Sequence, residues 1–429
     1  MTSIGFLGGA RGAAPPVGGG FSGGTRGAAP PVGGYVRLLD RPLTSYYLVL
    51  GCAAMLSILG LVMVWSASFV WSWEKTGSAY SVVQKQALYA AIGIVLLIAG
   101  AKVPLRWWRR FAYPALVVIV LLLALVPVIG RDFNGNRNWI SIGSGFLLQP
   151  SEFAKLALVV WGADLLARKR KLLGRWKHML VPLVPVSAII IALVLAGHDL
   201  GTAMILVAVV ASLLFYAGAP LRLFLGLTLV AAPVVIWLIS LRETRIARVT
   251  GFLTPEADPL AAGYQALNSI YALGTGGWWG VGLGSSRQKW GSLPEAHTDF
   301  IFAVVGEELG LIGTLAVVAL LALLGYAGIR IALRSHDWFA RLAAAGVTSW
   351  LMFQSFVNIG AVLGLLPITG VPLPLVSYGG SALLPTMLAL GLLLALAKHE
   401  PGARAALAAR GGFTARRWRR RSAAASRGA

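Results

Sequence analysis

Apolar runs close to the length of a bilayer span recur from Tyr46 almost to the C-terminus, and this feature constrains the fold most. A helix needs roughly 20 such residues to cross the hydrocarbon core. With 57% hydrophobic and only 12% charged residues, the chain departs from the composition of a soluble domain. We therefore predict an all-α integral membrane protein. Its helices, about ten in number, are predicted at 46–69, 83–101, 111–130, 152–167, 179–196, 201–218, 221–240, 299–329, 342–366 and 380–397.

Basic side chains are spread unevenly over the two sides that this topology creates. A cytoplasmic N-terminus places most of the 37 Lys and Arg residues in cytoplasmic segments. Such an excess sets the orientation of membrane proteins, so both termini are predicted to be cytoplasmic. The net charge of +22 includes a C-terminal basic run, Arg416–Arg421, which is expected to contact anionic lipid headgroups or a cytoplasmic partner. Nucleic acid is therefore not expected as a partner.

Three regions follow from this organisation. Residues 1–45 form a Gly/Ala/Pro-rich arm with too little apolar bulk to fold, so we predict a disordered cytoplasmic segment. Residues 46–398 form the membrane domain, and residues 399–429 a basic cytoplasmic tail. A large extracytoplasmic loop of about residues 241–298 joins the seventh and eighth helices. Loops of that length usually carry a function or lack structure.

An acidic and imidazole cluster, LPEAHTDF (Leu293–Phe300), stands where this loop meets the eighth helix. Only 15 of 429 residues are Asp or Glu, so acidic side chains at a membrane boundary need a reason. An ionisable residue there indicates a functional site, because keeping it charged costs free energy. Asp299 could equally cap the eighth helix, since Asp favours helix starts. Local rules leave both interpretations open.

A second charged group lies at the start of the fourth helix. Glu152 and Lys155 are three residues apart, so they share a helix face and can pair. One interpretation is a structural ion pair within the bundle. The other is a charged pair that lines a polar cavity, where Lys155 would meet a phosphate as a point charge.

The long loop contains two further patterns. Arg242, Arg245 and Arg248 are spaced three apart, so they could neutralise a diphosphate, or their side chains could snorkel at the interface. The glycine-rich run Gly274–Gly284 lacks the GK[ST] of a phosphate loop, which argues against nucleotide binding. Close backbone packing or tight turns explain its glycines better.

The segment Pro367–Ser381 is rich in Pro and Gly and interrupts the membrane domain before the last helix. Irregular backbone at membrane depth is tolerated only where protein buries it or where it lines a cavity. Together with the acidic loop end, it outlines a polar cleft on the outer face. Those features fit a transporter as well as an enzyme.

Four motifs resemble the SEDS family of bacterial shape, elongation, division and sporulation proteins. The resemblance covers roughly residues 45–398, and the motifs occur in the family's order. They are QPSEFAKL (Gln149–Leu156), DLGTA (Asp199–Ala203), LPEAHTDFIFAVVGEELG (Leu293–Gly310) and GLLPITGVPLPLVSYGGS (Gly364–Ser381). The run Ala272–Trp290 and the long N-terminal arm look closer to the cell-division members than to the elongation members.

The resemblance implies an inverting peptidoglycan glycosyltransferase that polymerises lipid II at the outer face of the bacterial plasma membrane. In such enzymes the 4-hydroxyl of an incoming sugar attacks the anomeric carbon of a glycan that carries undecaprenyl diphosphate. The reaction needs a base for the hydroxyl and positive charge for the diphosphate. No organic cofactor is implied, whereas a divalent cation, Mg²⁺ or Mn²⁺, is compatible with the site.

The resemblance also assigns roles to individual residues. Asp299 matches the family's essential aspartate, as the general base or as a ligand of the cation. Arg248 matches a loop arginine suited to the leaving diphosphate. Supporting roles near the catalytic or substrate-binding site are implied for Glu152, Lys155, Glu295, His297 and Ser377.

Family members typically work with a class B penicillin-binding protein transpeptidase and other divisome proteins, so the same partners are expected here, at the division septum. An elongation-type polymerase is one alternative. A flippase for the lipid-linked precursor is another, and the broken segment around Pro372 and Pro374 would suit it. We favour the enzyme because the polar clusters of the sequence concentrate on the outer side.

Overall fold

The structure is a computed structural model, and it describes residues 43–133, 136–142, 146–241, 243–254, 263–291 and 293–403. Most of the N-terminal arm and of the basic tail therefore lies outside the described residues, and the boundaries predicted for them stay predictions. Helices α1 to α13 comprise, in chain order, Thr44–Thr76, Ser81–Lys102, Leu105–Ile129, Pro150–Arg168, Trp176–Leu180, Leu183–Ala196, Leu200–Tyr216, Leu221–Ser240, Glu243–Leu253, Tyr264–Gly276, Ile301–Arg334, Trp338–Val362 and Gly380–Ala397.

The all-helical membrane class is confirmed. Each of the ten predicted segments contains a helix, and the last one coincides with its predicted bounds. Within the described residues, seven helices are long and apolar enough to cross a membrane, counting α5 with α6 as one, and α7 is a shorter apolar helix. The fifth predicted span is divided between α5 and α6, because Pro182 precedes α6.

Two features of the fold were not predicted, a small sheet and a pair of helices in the long loop. A small antiparallel sheet, β1 (Arg131–Phe133), β2 (Asn136–Ile142) and β3 (Phe146–Leu148), has the order β1-β2-β3 between α3 and α4. A search for long apolar runs passes over such short strands. In addition, the long loop between the seventh and eighth spans contains two helices, α9 and α10.

Helix α4 explains how a charged segment can belong to the bundle. It packs against α3, α7 and α12, and its residues from Ala154 to Leu166 are buried. The Asp164 carboxylate, which is fully buried, lies 2.7 Å from Arg109 Nε and 2.5 Å from Arg168 Nε. Charged side chains inside a bundle need such partners, so helix α4 is shielded from lipid by its neighbours.

Helix α11 is interrupted at Gly310, whose φ of 66° and ψ of −164° are not helical. The glycine-rich run supplies the missing backbone partners. The Leu311 N–H donates to Gly277 O at 2.9 Å, and the Val281 N–H donates to Glu307 O at 2.9 Å. A Cβ at Gly310 would collide with Gly280 N and would lie 2.6 Å from the Trp278 carbonyl. The glycines are thus used for close backbone packing, as the sequence indicated.

Gly310→Ala is expected to lower the free energy of unfolding by about 1–3 kcal/mol, because it adds a Cβ at a strained φ and against backbone atoms. Gly51→Ala in α1 is the matched control, since a Cβ there meets no atom within 4 Å. Thermal unfolding of the purified proteins in detergent measures both. Equal unfolding midpoints for the two variants would contradict the role of the break.

Candidate active site

Asp299 lies immediately before α11. The helix begins at Ile301 with Phe300 at the N-cap position, so Asp299 precedes the position that a capping side chain occupies. Its carboxylate is half-buried. Its carbonyl oxygen accepts a hydrogen bond of 2.8 Å from Asn358 Nδ2 on α12. Asp299 therefore does not itself occupy the N-cap position, and its backbone is held by a neighbouring helix.

Asp299 lines a small crevice between the start of α11, α12 and the segment before α13. A Cβ at Gly370, where φ is 71°, would lie 3.6 Å from Asp299 Oδ2. Asn358 also lines the crevice, and its Nδ2 donates to Val371 O at 2.8 Å. Its Oδ1 is buried without a hydrogen-bond partner among the described residues. Asp299 and Asn358 thus line the same crevice, with the Asn358 Oδ1 atom buried in its wall.

The irregular segment between α12 and α13 is fixed by side chains. The buried Ser377 hydroxyl accepts the Leu373 N–H at 2.8 Å. Gln86 on α2 donates to Ser377 O at 3.4 Å and accepts the Gly379 N–H at 3.3 Å. Ser377 therefore shapes the turn, while its predicted support of a substrate stays a prediction.

Glu295 and His297 are arranged around the same loop. Glu295 has a φ of 57°, and its carboxylate accepts the Thr298 hydroxyl at 2.7 Å. The His297 ring lies 5.3 Å from the Trp71 ring and 5.5 Å from the Tyr378 ring. Burial lowers the pKa of His297, an effect that the Glu295 carboxylate opposes. At neutral pH the ring is therefore an uncharged aromatic contact between α1 and the irregular segment.

Glu152 and Lys155 form a buried ion pair. Lys155 Nζ lies 2.7 Å from both Glu152 carboxylate oxygens and donates to Gln354 Oε1 at 2.9 Å. It also lies 5.2 Å from the centre of the Trp350 ring. Lys155 is completely buried. The structural interpretation of the pair is thus observed, and the ammonium is not displayed to a ligand in solution.

A comparison with known proteins identifies the chain. The family model described as Cell cycle protein, which takes in FtsW, RodA and SpoVE, matches residues 46–401. The chain belongs to this family. The SEDS resemblance read from the four motifs is therefore confirmed.

Individual relatives agree with this assignment. The chain is 44% identical over 374 residues to the probable peptidoglycan glycosyltransferase FtsW of Mycobacterium tuberculosis (strain H37Rv), covering 86% of this chain and 71% of that one. It superposes with a TM-score of 0.67 and 30% identity on a chain from a peptidoglycan synthase complex, covering 82% and 96%. The corresponding values for the rod shape determining protein RodA of Thermus thermophilus are 0.61, 28%, 82% and 97%.

The SEDS motif DLGTA contributes a carboxylate, Asp199, for which the sequence analysis predicts no role. Asp199 caps α7, because its Oδ1 accepts the Thr202 N–H at 2.9 Å. Its Oδ2 accepts Gln149 Nε2 at 2.9 Å and the Ser151 hydroxyl at 3.2 Å. Asp199 therefore connects α7 to the start of α4, next to Glu152. Its position at a helix start was the available signal.

Two amides of α12 were also missed. Gln354 and Asn358 are four residues apart in an apolar span, so they share one face. Gln354 Nε2 donates to Pro372 O at 2.8 Å, and Asn358 Nδ2 donates to Val371 O at the same distance. Polar side chains inside a membrane span indicate a buried polar network, as charged side chains do. Arg248, by contrast, lies in α9, and its side chain is outside the described part of the chain.

The donor set limits how this SEDS protein could hold a cation. Among the described residues, no group of three or more His, Cys, Asp or Glu side chains is placed to bind a metal ion. A single carboxylate fits Mg²⁺ that keeps several waters and shares substrate phosphates, rather than an all-protein cage. Asp299 is the residue that fits this description in the crevice.

Lys155→Met is expected to cost about 3–5 kcal/mol of stability, because it leaves the buried Glu152 carboxylate uncompensated. The double variant Glu152→Gln/Lys155→Met should recover most of the unfolding temperature, since both charges are removed. Thermal unfolding in detergent gives the unfolding temperatures of the wild type, the single variant and the double variant. A double variant as unstable as the single one would contradict the structural role. Its glycan synthesis then reports whether the pair also matters for catalysis.

The lowered pKa of His297 predicts a pH-dependent stability. Between that lowered pKa and about 6.5, the unfolded chain binds a proton at His297 and the folded chain does not. The free energy of unfolding should therefore fall as pH drops below about 6.5. Unfolding midpoints from pH 5 to 8 test this for His297→Phe, which should flatten the slope. The control is His336→Phe, at an exposed position, which should leave the slope unchanged.

Proposed function

We propose that this chain is a peptidoglycan glycosyltransferase that polymerises lipid II. The observation that carries the proposal is the position of Asp299, whose motif matches the family, in a crevice that it shares with Asn358. A carboxylate and an amide at one place suit a ligand rich in hydroxyl groups. Relatives with up to 44% identity are named probable peptidoglycan glycosyltransferases. Family membership and site chemistry therefore support the same reaction.

In the proposed reaction, the acceptor sugar's 4-hydroxyl oxygen bonds to the anomeric carbon of the lipid-linked glycan. The bond between that carbon and undecaprenyl diphosphate breaks, and the hydroxyl proton passes to Asp299. A carboxylate that lines the crevice is suited to accept this proton. A divalent cation shared by Asp299 and the diphosphate would instead supply charge neutralisation. Both roles use the same oxygen atoms.

The leaving diphosphate needs positive charge. Arg248 is proposed for this task on the strength of its sequence pattern in the family. Lys155 is proposed as a positioning residue, since its ammonium is fully buried and bonded to Glu152 and Gln354. Through Gln354 it holds Pro372, which belongs to the same irregular segment as Gly370 beside Asp299.

The cellular setting follows as part of the proposal. The distribution of basic residues favours cytoplasmic termini, and on that orientation the crevice faces outward. Relatives named FtsW favour the division septum and a divisome partner. The similar chain from a complex for polymerisation and crosslinking favours a class B penicillin-binding protein as partner.

Asp299→Asn is expected to reduce glycan polymerisation at least about 100-fold, because it removes the base or the cation ligand. The assay contains purified protein, lipid II, Mg²⁺ or Mn²⁺ and the cognate class B penicillin-binding protein, and polymer is resolved on gels. Glu74→Gln is the matched control, an exposed carboxylate at the end of α1. Removal of cations by EDTA and re-addition of excess Mg²⁺ or Mn²⁺ distinguishes the two roles, since only the ligand role predicts partial rescue of Asp299→Asn.

Polymer at the normal rate from Asp299→Asn would overturn the assignment. Translocation of lipid II across vesicles without polymer formation would favour the flippase.

A further inference from the structure

The end of the bundle opposite Asp299 contains a basic cavity that the proposed reaction does not use. It is open on one side and has a volume of about 600 Å³, within the range of about 300–1,000 Å³ common for ligand sites. Helix α3 begins there, α4 ends there and α12 begins there. The lining residues are Leu105, Arg106, Arg109, Arg110, Arg168 and Asp337. The polar clusters predicted from the sequence are on the outer side, whereas this cavity lies at the other end of the bundle.

Two of the arginines that line the cavity, Arg109 and Arg168, are held in place by a buried carboxylate. The Asp164 carboxylate, fully buried, is bonded to Nε of Arg109 at 2.7 Å and to Nε of Arg168 at 2.5 Å. Those bonds use Nε, and the structure records no partner for the terminal amino groups of either arginine within the described residues. The guanidinium planes are therefore fixed while their outer donors remain available.

The other two arginines add uncompensated charge. Arg106 and Arg110 are exposed, and neither forms an ion pair among the described residues. Four arginines face Asp337 and the buried Asp164, so the cavity keeps a positive excess. Asp337 is the one carboxylate among the residues that line the cavity.

The start of α3 adds to this field. Its N-cap position is Pro104, which forms no side-chain cap. Leu105 and Arg106, the first two helical residues, line the cavity, so the positive end of a 25-residue helix points to it. Backbone N–H groups at such an end bind phosphate oxygens, and arginines bind them bidentately. The chemistry selects a phosphoryl group.

Aromatic side chains indicate the source of that group. Trp107 stacks on Phe111 with ring centres 5.6 Å apart, and Arg110 lies 5.6 Å from the Trp107 ring. Trp338, beside Asp337, has Arg170 at 4.9 Å. Trp and Arg clustered at the ends of spans mark the level of the lipid headgroups. We propose that this cavity binds the phosphoryl headgroup of an anionic phospholipid, on the predicted topology in the cytoplasmic leaflet.

The test uses the full-length protein with Arg106→Gln/Arg110→Gln, which removes two arginines that Asp164 does not hold. The control, Arg175→Gln/Lys177→Gln, makes the same charge change at exposed positions outside the cavity. Native mass spectrometry measures retained phosphatidylglycerol against phosphatidylcholine. The wild type should prefer phosphatidylglycerol, and the cavity variant should bind it about 25-fold more weakly. The control should stay within about twofold of the wild type.

Further arms separate the sources of the phosphoryl group. Inorganic phosphate that displaces phosphatidylglycerol at equal concentration would overturn the lipid assignment in favour of a soluble phosphate. Tighter binding of an oligoglutamate peptide would overturn it in favour of an acidic protein segment. Equal losses in the cavity and control variants would reduce the effect to general surface charge and overturn the site. Thermal unfolding confirms that each variant is folded.

Discussion

The geometry of the site depends on the interactions of one buried group, the Lys155 ammonium. It pairs with Glu152 in α4 and donates to Gln354 in α12, and Gln354 in turn holds the Pro372 carbonyl. A single charge thereby connects two helices and the irregular segment that borders Asp299. Since an isolated ammonium in this environment would be very costly, the three partners must stay together. The geometry around Asp299 is therefore coupled to the packing of the whole bundle.

The irregular backbone is stable because helix side chains satisfy it. Asn358 donates to two carbonyl oxygens, those of Asp299 and Val371, and Gln86 binds both Ser377 and Gly379. Backbone that leaves the helical pattern in a membrane must find such partners within the protein. The side-chain amides of α2 and α12 thus form hydrogen bonds with backbone groups that a helix would pair internally. The result is a fixed backbone at Asp299 and at Val371.

Long apolar runs predicted the spans, because the hydrocarbon core demands length and hydrophobicity above all. The motif around Asp299 predicted a candidate site, yet not the side chains that support it. Gln354 and Asn358 are visible as polar residues in an apolar span, but the backbone carbonyls of Pro372 and Val371 that they bind lie more than ten residues further along the chain, so the sequence does not show what they bind. The break at Gly310 was invisible for a similar reason. It depends on backbone bonds from the glycine-rich run about thirty residues earlier, such as Gly277 to Leu311.

The contrast between the two ends of the bundle bears on mechanism. At one end, Asp299 lies in a small crevice whose walls are fixed by hydrogen bonds from the Asn358 side-chain amide. At the other, arginines line a cavity of about 600 Å³, and Asp164 fixes two of them. Alternating access in a transporter moves one part of the protein against another around the binding site. Such a motion between α4, α12 and the segment before α13 would break the Lys155, Gln354 and Asn358 hydrogen bonds together. The buried polar network therefore favours a fixed geometry around Asp299, which the proposed enzyme needs, while the proposed lipid contact lies at the other end of the bundle.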